Sequence, residues 1–69
     1  MTDELFQIQM GAKIKAARKA KGLTQIQLGK LCRLDGNHIC MIERGHCGCL
    51  VNTLRKIAEQ LGKDVKDFL

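Results

Sequence analysis

The sequence contains no proline, no tryptophan and no tyrosine, and only two phenylalanines, Phe6 and Phe68. A core must therefore be built from Leu, Ile, Val, Ala, Met and Cys side chains. No unbroken apolar run approaches the roughly 20 residues of a membrane span or the apolar centre of an export signal, so the expected location is cytoplasmic. No stretch of useful length alternates apolar and polar residues with period two, so no strand is expected. There are no repeats, low-complexity tracts or linkers. Sixty-nine residues suffice for one domain with one modest core, and a single domain over 1–69 is expected. Apolar residues make up 45% of the chain, enough to favour a folded domain over disorder.

The net charge is +5, and its placement is uneven. Residues 13–44 hold eight basic side chains against the two acids Asp35 and Glu43, so this stretch carries +6 and the rest of the chain −1. A concentrated basic stretch suits a polyanion, because neutralising phosphates releases their counterions. Charge alone leaves a merely solubilising surface equally open.

Polar punctuation divides the chain into short helices. Residues 3–20 carry Phe6, Met10, Ile14 and Ala17 at spacings of four and three, a buried helical stripe. Gly11 interrupts it at a cost of about 1 kcal/mol, which close passage of another helix would justify. Lys19, Lys21 and Gly22 read as the helix end. Thr24 followed by Gln27 is a capping box for a second helix, whose inner face is Leu28, Leu31 and Cys32. Leu34 lies in the following turn. Asp35 is placed to cap a third helix with Ile39 and Ile42 inward, closed by Arg44-Gly45. A fourth helix spans about Val51 to Leu61, with Val51, Leu54, Ile57, Ala58 and Leu61 inward, and Gly62 stops it. Asp64 and Asp67 frame a last short turn that returns Val65 and Phe68 to the core.

Helices two and three are joined by only about three residues, which in an all-helical chain implies a helix-turn-helix, here roughly Thr24 to Glu43. That unit needs a small residue where the helices meet (Gly29), an apolar plug in the turn (Leu34) and two apolar anchors beneath the third helix (Ile39 and Ile42). The outward positions are then Gly36, Asn37, His38, Cys40 and Met41. Asn37 can pair bidentately with adenine, Met41 can pack on a thymine methyl, and His38 can donate to a phosphate or to guanine. Gly36 permits close approach.

Over roughly Gly11 to Leu69 the sequence resembles the lambda-repressor-like, XRE-type helix-turn-helix DNA-binding domains. The matching residues are Gly11, Ile14, Arg18, Gly22-Leu23-Thr24-Gln25, Leu28, Leu34, Ile39, Ile42-Glu43-Arg44-Gly45, Thr53-Leu54, Ile57-Ala58 and Leu61. The resemblance implies an all-α compact bundle of five short helices around a central helix-turn-helix. It implies a homodimer bound to double-stranded DNA, often a pseudo-palindromic operator, with transcriptional regulation as the activity and no cofactor. Gly36, Asn37 and Met41 match base-facing positions, with His38 beside them. Gln25 matches a phosphate-gripping side chain, and Arg44 and the loop after it, including His46, match a backbone-contacting segment. Arg18 and Glu43 match an internal salt bridge, which removes Arg18 from the expected DNA contacts.

Two segments depart from the family pattern. Arg33 stands where the family usually has Gly in a left-handed conformation, at a cost of about 1 kcal/mol or more, so either the turn is altered or Arg33 accepts the strain; from there it can reach a phosphate. The segment His46-Cys47-Gly48-Cys49-Leu50 lacks the usual Pro and helix cap. The cysteines Cys32, Cys40, Cys47 and Cys49 are spaced C-x7-C-x6-C-x-C, unlike structural zinc sites, and neither a metal nor a disulfide framework is expected. Cys32 reads as a small core hydrophobe. Cys47 and Cys49 are the candidates for reactive thiols, Cys49 because of its place near a helix N-terminus. Nothing pairs a Cys or His with an orienting carboxylate in the manner of an enzyme. The alternative to a DNA-binding regulator is a protein-interaction module such as an antitoxin, or a thiol- or metal-responsive regulator using Cys47 and Cys49. The absence of room for a second domain favours a stand-alone regulator. Dimerisation falls to helices four and five, where Leu50, Val65 and Leu69 are the apolar candidates; Val65 and Leu69 can equally complete the core.

Overall fold

The computed structural model describes residues 3–46 and 51–69. The chain forms four α-helices, α1 (Asp3–Ala20), α2 (Gln25–Cys32), α3 (Gly36–Glu43) and α4 (Val51–Leu61), and closes with a single 3-10 turn at Val65–Phe68. The all-α bundle expected from the sequence is therefore present, with the 3-10 turn as its fifth element. No strand occurs among the described residues.

The helix boundaries follow from local chemistry. At the start of α2, the Thr24 hydroxyl accepts from the Gln27 N–H at 3.0 Å, and the Gln27 side-chain oxygen accepts from the Thr24 N–H at 2.9 Å. This reciprocal box satisfies two otherwise orphaned donors. α1 ends with Leu23 N–H donating to the Arg18 carbonyl at 3.2 Å and Gly22 N–H to that of Lys19 at 2.9 Å. Gly22 has φ +72°, as this closure requires. α3 and α4 end the same way on Gly45 and Gly62. α2 also ends this way, but on Arg33, with φ 59° and ψ 40°. Arg33 thus accepts the left-handed conformation without altering the turn, and Leu34 N–H still donates to the Gly29 carbonyl at 2.7 Å. Asp35 stands at the N-cap of α3 as expected, but its side chain makes no capping hydrogen bond; only its carbonyl receives the His38 and Ile39 N–H groups.

Ile14, Leu28, Ile39, Ile42, Ile57 and Leu61 are the largest fully buried side chains. Phe68 returns to this core from the 3-10 turn, and the partly buried Ala17, Leu23, Leu34 and Val65 pack against the core as a whole. Gly11 and Gly29 mark two of the close approaches between elements. A Cβ on Gly11 would collide with the Ile42 carbonyl oxygen and stand 2.6 Å from that of Glu43, so α1 crosses directly against the end of α3. A Cβ on Gly29 would stand 2.6 Å from the Leu34 carbonyl oxygen, so the turn lies on the backbone of α2.

Three expected core residues lie outside it. Phe6, one turn before the buried Met10, is exposed, as are Leu5 and Ile8, although α1 at Ile8 lies against Gly45. Leu31 is exposed because the inner face of α2 runs through Leu28, Gly29 and Cys32, leaving it at the edge. Val51, the first residue of α4, is 66% exposed, one turn short of the buried Leu54.

Candidate nucleic-acid interface

α3 is anchored from below and open above. Ile39 and Ile42 are fully buried. Asn37, His38 and Met41 are exposed, and Gly36 and Cys40 are half-buried, Gly36 against α2. α3 itself bears no Lys or Arg. Arg44 and His46, just beyond its C-terminus, are also exposed.

The starts of α2 and α3 lie side by side. The position a Gly36 Cβ would take is 3.0 Å from Ile26 Cγ1 and 3.1 Å from Ile26 Cα. Gln25, next to Ile26, is therefore brought to the same end of the unit as Gly36 and Asn37. Arg33 is not: it sits at the far end of α2 and lines a groove with Leu31, Cys32, Lys56, Glu59 and Gln60, facing α4.

Arg18 and Glu43 form the expected internal salt bridge. Arg18 Nε donates to Glu43 Oε2 at 2.7 Å and an Nη to Oε1 at 3.0 Å, a bidentate pair with side chains only 8% and 2% exposed. A further Arg18 nitrogen donates to the Leu23 carbonyl at 2.7 Å. The hydrogen bonds to Glu43 hold the guanidinium above its ordinary pKa, against the opposing effect of burial. Arg18 therefore clamps α1 to the end of α3 and is unavailable to an external anion.

One feature of this network escapes the sequence. Gln25 Nε2 donates to Glu43 Oε1 at 3.0 Å, tying the start of α2 to the salt bridge. One amide hydrogen and the amide oxygen of Gln25 remain for an external partner. Ile26 is a second missed residue: it is 63% exposed, although apolar, because it falls off the inward stripe of α2. That position off the stripe was the available signal.

Cys32 is buried, and desolvation raises its thiol pKa, partly offset by the Lys56 charge. Cys47, Cys49 and Leu50 lie outside the described residues. Among those described, no group of three or more His, Cys, Asp or Glu side chains is arranged to hold a metal ion, and no helix is long and apolar enough to cross a membrane.

Comparison with known proteins places this geometry. A family model described as helix-turn-helix matches residues 14–68. The immunity repressor protein of Bacillus phage phi105 is 38% identical over 56 residues, covering 81% of this chain and 39% of the repressor's length. The restriction-modification controller protein C.AhdI from Aeromonas hydrophila superposes with a TM-score of 0.88 at 27% identity, over 91% of this chain and 96% of that one. An HTH_3-family transcriptional regulator from Vibrio cholerae superposes with a TM-score of 0.89 at 31% identity, over 97% of this chain and 38% of that one. The match covers most of the chain and includes the buried anchors Ile39 and Ile42 and the Arg18–Glu43 bridge, so the chain belongs to the lambda-repressor-like, XRE-type helix-turn-helix family.

Proposed function

We propose that this chain is a sequence-specific, double-stranded-DNA-binding transcriptional regulator that acts by occupying an operator. The observation carrying this reading is the two-sided character of α3. Ile39 and Ile42 fix it rigidly to the core, while Asn37, His38 and Met41 face outward beside the start of α2. In the major groove, Asn37 pairs with an adenine edge, Met41 packs on a thymine methyl and His38 donates to a base or phosphate, with Gly36 beside them at the start of α3. Gln25 grips a phosphate with its remaining amide hydrogen, and Arg44 and His46 contact the backbone. Arg33, exposed at the far end of α2 beside the groove against α4, can reach a phosphate only away from α3. The similarity to a phage immunity repressor and to a restriction-modification controller supports a repressor or controller role.

A homodimer on a pseudo-palindromic operator fits a domain of this size, since one α3 reads only a few base pairs. The exposed Val51 and Leu69 place apolar surface on α4 and beside the 3-10 turn for that contact. A regulator of this kind works in the cytoplasm.

Selection of bound sites from a random duplex pool tests the reading. The expected product is a pair of half-sites about one or more helical turns apart, with affinity falling steeply as salt rises. Asn37→Ala should lose discrimination at one base pair per half-site. Failure to enrich any sequence, or equal binding of every operator variant by Asn37→Ala, would refute the assignment.

A further inference from the structure

Gly36 opens the helix proposed above to read bases, yet it has no side chain to read with. Its missing Cβ would stand 3.0 Å from Ile26 Cγ1 and 3.1 Å from Ile26 Cα, so Gly36 packs directly against Ile26 and brings it beside the start of α3. Ile26 is 63% exposed, with Gln25 preceding it at the start of α2 and Asn37 adjacent to Gly36. Single exposed apolar side chains are ordinary on protein surfaces. Ile26 differs from Leu31, the other exposed apolar residue of α2, in its place: Leu31 lies at the far end beside Lys56 and Glu59.

Building on the reading of α3 as the base-contacting helix, we propose that Ile26 is a specificity-determining residue, its apolar side chain packing on the 5-methyl group of a thymine at the edge of the half-site next to the base pair read by Asn37. An isoleucine offers no hydrogen bond, so it distinguishes bases only by apolar contact. In the major groove the thymine methyl is the apolar feature a base pair presents. Burying a methyl-sized group corresponds to about a fourfold change in affinity.

The test uses the selected operator and a series in which each thymine is replaced in turn by deoxyuridine, which lacks only the methyl. Affinities are measured for the parent, Ile26→Ala and Met41→Ala. The parent should lose about fourfold per half-site at one thymine, with no further loss at that thymine in Ile26→Ala. Ile26→Val should fall between parent and Ile26→Ala. The thymine sensed by Met41 should keep its penalty in Ile26→Ala, and all variants should melt as the parent does, the position being exposed. Ile26→Ala binding as tightly as the parent, or a deoxyuridine penalty at every thymine that survives in Ile26→Ala, would overturn the proposal. If Asn37→Ala still relaxes specificity in that case, only the role of Ile26 falls. If no operator is enriched at all, the reading of α3 falls with it.

Discussion

Replacing Glu43 by Gln tests the Arg18–Glu43–Gln25 network as the clamp that holds α3 to α1 and α2. The wild-type carboxylate accepts from two nitrogens of Arg18 and from Gln25 Nε2. Gln has the same shape but no charge, so Arg18 keeps its positive charge with side-chain exposure near 8%. Removing one partner of a buried ion pair costs about 3–5 kcal/mol. Arg18 retains its bond to the Leu23 carbonyl and one carbonyl acceptor on the new amide, so the lower end, about 3 kcal/mol, applies. A chain of this size is stable by about 3–10 kcal/mol, so the loss is a third of the total or more. At about 4–8 °C per kcal/mol, the melting temperature should fall by about 12–24 °C. Thermal and urea unfolding followed by circular dichroism reads this directly. The double variant Arg18→Met, Glu43→Leu should recover most of the loss, because it leaves no unpaired charge in the core. A Glu43→Gln loss below about 1 kcal/mol would mean that the pair behaves as a solvated surface bridge. A double variant as damaged as the sum of the singles would remove the charge argument altogether.

Arg33→Gly should stabilise the fold by about 0.5–1 kcal/mol, the relief of left-handed strain less the added entropy of the unfolded glycine; Arg33→Ala should bring no gain, and comparison of their urea midpoints decides. Gly11→Ala should destabilise despite alanine's better helix propensity, by about 2 kcal/mol, because its Cβ meets the backbone carbonyl of Ile42; an unchanged melting temperature would contradict the close crossing of α1 and α3. The Cys32 thiol pKa is raised by burial. The native state therefore holds this proton more tightly than the unfolded chain does. The stabilisation is complete below the unfolded thiol value of about 8.5 and is lost as pH rises from there through the folded value. Peptide mapping after brief alkylation should find Cys32 unmodified in native protein at mildly alkaline pH and modified once urea is added, and equal labelling in both states would contradict its burial.

The helix boundaries were legible because they depend on neighbours in sequence. A threonine three residues before a glutamine, or a glycine just past an apolar stripe, acts over one turn whatever the rest of the chain does. Gly11 and Gly29 were legible for a related reason: a glycine inside a helix costs stability unless something lies against it. The expectations for Phe6, Leu31 and Val51 failed because periodicity reports a direction around the helix axis and says nothing of how far the neighbouring elements extend. Phe6 and Val51 lie one turn before the first buried residues of their helices, Met10 and Leu54, and Leu31 sits at the margin of the inward arc. The outward set on α3 followed by elimination once Ile39 and Ile42 were assigned inward. The bond from Gln25 to Glu43 and the contact between Ile26 and Gly36 join different helices through particular side-chain placements, which no local pattern encodes.

The charge pattern becomes sharper once the fold is considered. Of the eight basic residues in 13–44, Arg18 is consumed internally by Glu43, one of only two acids there. The pair removes one charge of each sign, so the stretch keeps its +6 while its solvent-facing composition becomes seven cations against Asp35 alone. All seven cations are exposed, and none belongs to α3. In the proposed complex this separates two tasks. The surrounding cations supply the salt-dependent, sequence-independent attraction to phosphate, and Asn37, His38 and Met41, with Ile26 alongside, discriminate bases by hydrogen bonding and apolar contact. A reading helix without Lys or Arg gains little affinity at wrong sites, so mismatches cost specificity energy that long-range charge does not restore. Raising salt should therefore weaken specific and non-specific binding in parallel, leaving the preference for the operator largely intact.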